Sequence, residues 1–579
     1  MIASPVSRPA RPRLADEGGV ALITVLGLSL AIAILVSASV AYALTTMPQV
    51  RDHEDWNAAL AAAEAGVDDA LFRLNQNSSY WATEDLDNLA LGGWREVPGG
   101  ASTARYHYQL DASGVATTGA VDVVATGLVG DQRRTIEVRL RRRGFLDFLY
   151  FTDFEVVDPN AWPTLDLNVR SAMDDFCGVY WPERDGREGG VQNTTDPAQM
   201  GCGRIRFVEG DELRGPVHTN DALRIEVGSG GPSGEPAGQP RFYGEVTTGW
   251  SGGNPGQPDN QLWLRNEGST SNDPYFQDGI VFRERLPVPT TNQRLAEQAA
   301  DTGCVYEGPT LIRFHHDAAQ SRMSVVSPLT PANSAGVGCG PGVNLALPSG
   351  EAIFVRNSDA ATGGHPLGLP RSNDISSYPS RAGDAFVYGE VRGQVTVGAD
   401  NDIYVAHDLT YADRSPNSGD LTGLIANNNI RVYRPVRSNN AALGVGGNVP
   451  PFNQLPGGHR PASGSWDAPR IEAALLALNR SISVQNFNRG PSQDELSVYG
   501  AMGQRFRGPV GVSLAGGGRR GFLKDYEYDW RLRYLSPPHF IEPEQSPWER
   551  RRWSELNRAP LCAEGVEPGI DGCVPDPTA

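Results

Sequence analysis

Lysine is almost missing from this 579-residue chain: Lys524 is the only one among 50 basic residues. That excludes a scaffold held together by many lysine isopeptide bonds. Basic excess is missing too, since 68 acidic residues leave a net charge of −18. A nucleic-acid partner and charge-driven adhesion to anionic lipid are therefore not expected. There is no CxxC and no Cys/His cluster at metal-ligand spacing, nor any HExxH or Walker-type loop, so no metal or other cofactor is expected. A second long apolar run is also absent. The one that exists, Val20 to Ala43, holds 24 residues without a charge. As a helix it reaches ~36 Å, enough to cross a bilayer core of about 30 Å.

Three arginines, Arg8, Arg11 and Arg13, precede this run, and Arg51-Asp52-His53-Glu54-Asp55 follows it. The charge asymmetry predicts a single-pass protein with a cytoplasmic N-terminus and an extracellular or cell-surface body. Ala41-Tyr42-Ala43 leaves open a second reading, a signal that is cut away. Beyond the membrane, Trp56, Leu60, Ala63, Val67, Leu71 and Leu74 recur at three- and four-residue spacing, which predicts a helix over Gln49 to Asn75. Pro48 is expected to kink or reset it.

The junction Asp16-Glu17-Gly18-Gly19 before the apolar run, and the run Ala61-Ala62-Ala63-Glu64-Ala65-Gly66 after it, resemble the N-terminal region of PilX-type, type IV pilin-like pilus assembly proteins. The resemblance implies leader cleavage with Gly19 at −1 and Val20 at +1, Gly18 being the alternative −1. It implies other pilins or pseudopilins as partners. The chain departs from major pilins at +5, where Thr24 replaces their Glu.

Alternating runs at 104–110, 121–125 and 135–140, with turns at Gly114, Gly127 and Gly130, predict a small antiparallel head. The remainder is rich in turns, the whole chain holding 67 glycines and 43 prolines. It repeats short β-branched runs beside Gly or Asn: Gly215 to Asp221 before Leu223-Arg224-Ile225, Gly423 to Asn429 before Ile430-Arg431-Val432, and Tyr243-Gly244-Glu245-Val246 echoed at Tyr388-Gly389-Glu390-Val391. A parallel β-helix needs this pattern, with Asn or Gly at its corners. Irregular β-sandwich domains are the alternative. The expected fold is thus mainly β: a transmembrane, pilin-like helix, a β-strand head and a solenoid-like body. The expected divisions are a leader (1–19), the helix (20–75), the head (76–143), the ectodomain (144–547) and a tail (548–579). Within the body, Asp467 to Asn479 reads as a helix and Ser229 to Pro240 as an exposed loop. The tail shows no strand pattern and reads as an arm laid on the body. Residues 144–160, 508–511 and 521–547 resemble large envelope proteins of high-GC Gram-positive bacteria, which implies location but no chemistry.

Six cysteines allow 15 pairings. Neighbour pairing, Cys177–Cys202, Cys304–Cys339 and Cys562–Cys573, closes the shortest loops and is the expectation, against free thiols. Candidate catalytic acids are Asp400 with Asp402, Asp408 beside His407, and His218 with Asp221, each weighed against corner chemistry. Asp400, Asn401 and Asp402 are a candidate Ca²⁺ cluster, and Trp250, Trp263, Tyr275 and Phe276 a candidate sugar platform. No catalytic residue is assigned. The resulting expectation is a non-enzymatic pilus-associated or pseudopilin-like envelope protein acting in assembly, at a tip or as an adhesin. A membrane-tethered protein that binds or cleaves cell-wall glycans is the alternative, with surface glycans as its partners.

Overall fold

A computed structural model describes residues 18–577 except 78, 83–87, 100–102, 116–118, 162–166, 190–199, 227–238, 254–260, 266–273, 318–319, 332–335, 337, 361, 370–377, 437–448, 461–468, 491, 514–518, 544–545 and 564–572. The leader arginines and most of the 229–240 stretch lie outside the described residues. The chain is mainly β with one long N-terminal helix, α1 (Gly18–Gln76). It is continuous through Pro48. Its apolar first half is exposed, from Leu22 to Leu44. Its second half buries Ala59, Ala62, Ala63, Val67, Ala70 and Leu74. Trp56 stays outside that face, under the Arg134 guanidinium at 4.9 Å.

The buried face lies on an antiparallel sheet of β1 (Arg95–Glu96), β2 (Arg105–Asp111), β3 (Ala120–Val129) and β4 (Gln132–Arg142). Small residues on both partners allow close approach. A Cβ built on Gly127 of β3 would sit 2.0 Å from the Ala59 carbonyl oxygen, and one on Gly66 3.2 Å from the Tyr106 ring. The sheet has a fifth member, the strand Trp548–Leu556, antiparallel to β4. The tail therefore completes the head instead of lying on the body. Its pattern was invisible because this edge strand is charged on both sides (Glu549 to Arg552) and only Trp548 enters the core.

The described residues of the body form three long parallel ladders and a short parallel pair, Leu223–Ile225 with Trp263–Arg265. The longest stacks Cys304–Glu307, Glu351–Arg356, Gln394–Ala399, Leu421–Ala426, Arg470–Ala477, Ser492–Arg507, β5 (Tyr150–Val157), Val217–Thr219, Val246–Thr248 and Ile280–Phe282. A second runs from Thr310–His316 through Ala385–Val391, Ile403–Tyr411 and Ile430–Val432 to Ile482–Val484. The third includes Ser492–Arg507, Arg519–Tyr528, Glu212–Arg214, Arg241–Phe242 and Tyr275–Phe276. The expected helix over 467–479 is a correction: Arg470–Ala477 is a strand buried from Ile471 onward. A parallel strand covered on both faces is apolar throughout, so its residues fit a helical period by accident.

The order of strands is not the order of the chain. β5, first in sequence, sits inside the long ladder. Residues 150–282 build outward from it, and residues 304–528 return to it from the opposite end. Residues 283–303 carry the chain back along the ladder. Nine steps of about 4.8 Å require ~43 Å, and this segment with its helix Gln293–Asp301 reaches at most about 53 Å, so little slack remains. The strap is fastened rung by rung: Asn220 Nδ2 donates to the Leu286 carbonyl (2.7 Å), Asn479 Nδ2 to that of Thr290 (3.0 Å), and Asn292 Nδ2 to that of Ala399 (2.8 Å). Leu286, Leu295 and Ala299 pack on Phe145, Phe151 and Phe354 beneath it.

The cysteines bond as Cys177–Cys202, Cys304–Cys339 and Cys562–Cys573.

Where the two runs meet, Arg507 and Glu155 form a fully buried ion pair at 3.0 Å. Two predictions follow from these contacts. Gly127→Ala is expected to cost about 1–3 kcal/mol, since neither backbone yields freely, read as a lowered midpoint of thermal unfolding. Arg507→Met leaves a buried carboxylate without its cation and is expected to cost about 3–5 kcal/mol in urea unfolding, most of it recovered in Glu155→Leu/Arg507→Met.

Candidate functional site

Gly19 and Val20, the expected cleavage pair, fall in the first turn of α1. The apolar segment that follows reaches a mean hydropathy of 2.5 and is not buried by any other described part of the chain.

The candidate acids are distributed among corners. Asp400 and Asp402 do not share a strand; they occupy the bend between Gln394–Ala399 and Ile403–Tyr411. Asp400 Oδ2 accepts from the Asn357 amide (2.9 Å). Asp402 Oδ1 accepts from Asn429 through its amide and its side chain (both 2.9 Å), and Oδ2 meets Arg431 Nε at 3.0 Å. Asn401 Nδ2 donates to Asp384 (2.6 Å) and Asn428 Nδ2 to Asn401 (2.8 Å). These oxygens are taken by donors within the stacked corners, which is the use that Asx side chains serve at turns and not a cation cage. Asp384 is buried here without a second partner for Oδ2; burial, with the Asp402 charge added, pushes its carboxyl up to about 7.

His218 and Asp221 face different neighbours. His218 is wholly buried beside the Phe148 and Phe151 rings, bonded to Thr247 Oγ1 (2.7 Å) and Asn220 Oδ1 (3.1 Å). Asp221 accepts from the Glu155 and Trp181 amides and from Arg184. Asp408 Oδ1 accepts from the Arg470 amide at 2.9 Å beside half-exposed His407. The sugar platform is likewise corrected. Trp250 and Trp263 are 4% and 6% exposed and belong to the core, Phe276 is half-buried on Phe242, and only Tyr275 is open. Gly249 to Gly253 spells G-x-S-x-G, but among the described residues no helix follows the preceding strand to give the strand–turn–helix setting of a nucleophile elbow.

What sequence reasoning missed is a cleft of about 560 Å³ where head, body and tail meet. Its walls come from the end of the head (Arg143) and the start of the body (Asp147, Phe148), from two body turns (Tyr243 to Glu245 and Gln277 to Arg283), from Trp530 and Arg533, and from the tail (Glu549, Arg551). Arg551 pairs with Asp147, and Arg283 with Glu245 at 3.5 Å. Arg143 and Arg533 have no carboxylate partner among the described residues. Each lies against a ring instead, Arg143 on Phe148 (5.2 Å) and Arg533 on Trp530 (5.7 Å). Trp530 is 52% exposed and rests edge-on against Tyr528. The lining is drawn from segments spread over more than 400 positions, from Arg143 to Arg551, so no local pattern announces it.

No family model and no curated protein matches the chain. Among solved structures, the crystal structure of the competence-associated pilin ComZ from Thermus thermophilus is similar over 87% of this chain and 97% of its own, at 12% identity and a TM-score of 0.25.

Burial pushes the His218 imidazole down to about 3, far below its ordinary 6.5. The unfolded chain then binds the extra proton, so this group's contribution to stability is complete above pH 6.5 and falls as pH drops toward 3. Relative to His218→Asn, the native chain is expected to lose about 1.4 kcal/mol per pH unit across that window, measured by urea unfolding at successive pH values.

Proposed function

We propose that this chain is a non-enzymatic, type IV pilus-associated or pseudopilin-like envelope protein, with a role in pilus assembly, at a tip or as an adhesin. The observation that carries the reading is the division of α1: an uncovered apolar half before residue 45, then an alanine-faced half packed on an antiparallel sheet. A helix of this kind has one face for its own head and leaves the rest for lipid or for neighbouring helices. Residues 20–43 anchor it, and other pilins or pseudopilins are its partners.

The N-terminus is cytoplasmic and the body lies outside the cell. Leader arginines support that orientation, and three formed disulfides suit an oxidising compartment. We read the body as a parallel β-helix. In-register parallel pairing through three ladders, and Asn and Asp stacked at the bends between them, favour that reading. Such a body acts by stiffness and surface, without a catalytic step; the candidate acids Asp400, Asp402, Asp408 and Asp221 accept hydrogen bonds from the chain's own donors.

Sequencing the N-terminus of the protein recovered from membranes tests this. A mature chain beginning at Val20, and an uncut chain in Gly19→Arg, are expected. A native chain beginning at Met1 or Leu44 overturns it.

A further inference from the structure

We infer that the cleft between head, body and tail binds an acidic saccharide, a sugar bearing a carboxylate. This goes beyond the pilus-associated reading and stands whether or not the leader is cut.

The first observation is charge. In a chain carrying −18, acids are plentiful, and many arginines here pair with one, Arg184, Arg480 and Arg507 among them. Arg143 and Arg533 instead face one cleft without a carboxylate partner among the described residues, each with an aromatic ring beside it, at 5.2 and 5.7 Å from the ring centroid. A guanidinium whose neighbour is a ring and not an acid keeps its fork of donors for a planar anion. The second observation is Trp530. Packing on Tyr528 fixes the ring while half of it remains open, which suits stacking against the apolar face of a sugar. The third is the acids of the same walls. Asp278 is exposed and Glu549 half-buried, 3.7 Å from Arg551, and both offer carboxylate oxygens to hydroxyl hydrogens. They would repel an acidic peptide, whose side chains are all carboxylates, but serve a sugar that carries several hydroxyls for each carboxylate. The volume, about 560 Å³, lies within the ordinary range of ligand clefts.

The test is calorimetric titration of the full chain in detergent with tetragalacturonate, chitotetraose and tetraglutamate. Saturable binding of tetragalacturonate is expected, with affinity lowered about tenfold in each of Arg143→Gln, Arg533→Gln and Trp530→Ala, a loss typical of one charge-assisted or stacking contact. Trp530→Phe keeps a ring and should retain part of the affinity. Arg214→Gln, a surface arginine already paired with Asp525 and Glu212, should bind as the native chain does. Circular dichroism establishes that each variant is folded. No saturable binding of tetragalacturonate overturns the inference. So does equal affinity for chitotetraose, which removes the role of the arginines, or for tetraglutamate, which removes that of the sugar. Cleft variants that bind as well as the native chain overturn it too.

Discussion

One parallel pairing carries the rest of this structure: Ser492–Arg507 against Tyr150–Val157, strands some 350 positions apart. Through it the two runs of the body become one stack. The contacts across it are unusually ionic. Besides Glu155 with Arg507, the only lysine, Lys524, meets Asp211 at 2.6 Å, and Arg480 meets Asp174 and Asp158. These acids belong to the earlier run and these bases to the later one. Buried pairs of this kind add little net stability, because desolvation offsets most of the attraction. Their effect is on choice. Slipping the later run by one rung would strand several charges in the interior, whereas stacked aliphatic rungs alone would tolerate it.

Such a join has a topological cost, and the strap meets it. A run that must finish where an earlier one began needs a return path along the whole stack. Residues 283–303 supply it with little length to spare, and their leucines and alanines cover an apolar side of the long ladder that would otherwise face water. The three asparagines that fasten the strap or its rungs, Asn220, Asn292 and Asn479, each bind a main-chain carbonyl on the other segment. Only the full set of rungs offers those carbonyls in the right order.

The sequence made some of this legible. The apolar half of α1, the alanine-rich face beyond it and the β2–β4 hairpins were visible because local period and burial agree there. Corners such as Asn401-Asp402 and Asn427 to Asn429 were visible because their chemistry is local. The strand Arg470–Ala477 was not, since full burial erases the alternation that distinguishes strand from helix. The strand Trp548–Leu556 was hidden for the opposite reason: on a solvated edge, charge replaces the apolar signal. The join and the cleft were beyond reach, because each is a meeting of distant segments whose residues look ordinary one at a time. Trp530 in particular reads like the buried aromatics around it until the fold leaves half of its ring outside.

The same long-range contacts fix the cleft. Head and body are joined by two chain crossings, at 143–144 and 547–548, and the crossings are bonded to each other through the Arg143 amide and the Pro547 carbonyl (3.0 Å). Beside them Arg141, almost fully buried, donates to the Leu532 carbonyl (2.7 Å) and to Glu542 (2.8 Å), while Arg551 of the tail reaches Asp147 at the start of the body. Two adjacent crossings clamped in this way oppose hinging, since a rotation would break these contacts together and expose the buried Arg141 guanidinium. The cleft walls come from the three parts that this clamp binds. Arg143 follows directly on one crossing and Arg533 stands next to the Leu532 carbonyl that Arg141 holds. The placing of these two guanidiniums, which have no carboxylate partner among the described residues, therefore follows from the clamped joint.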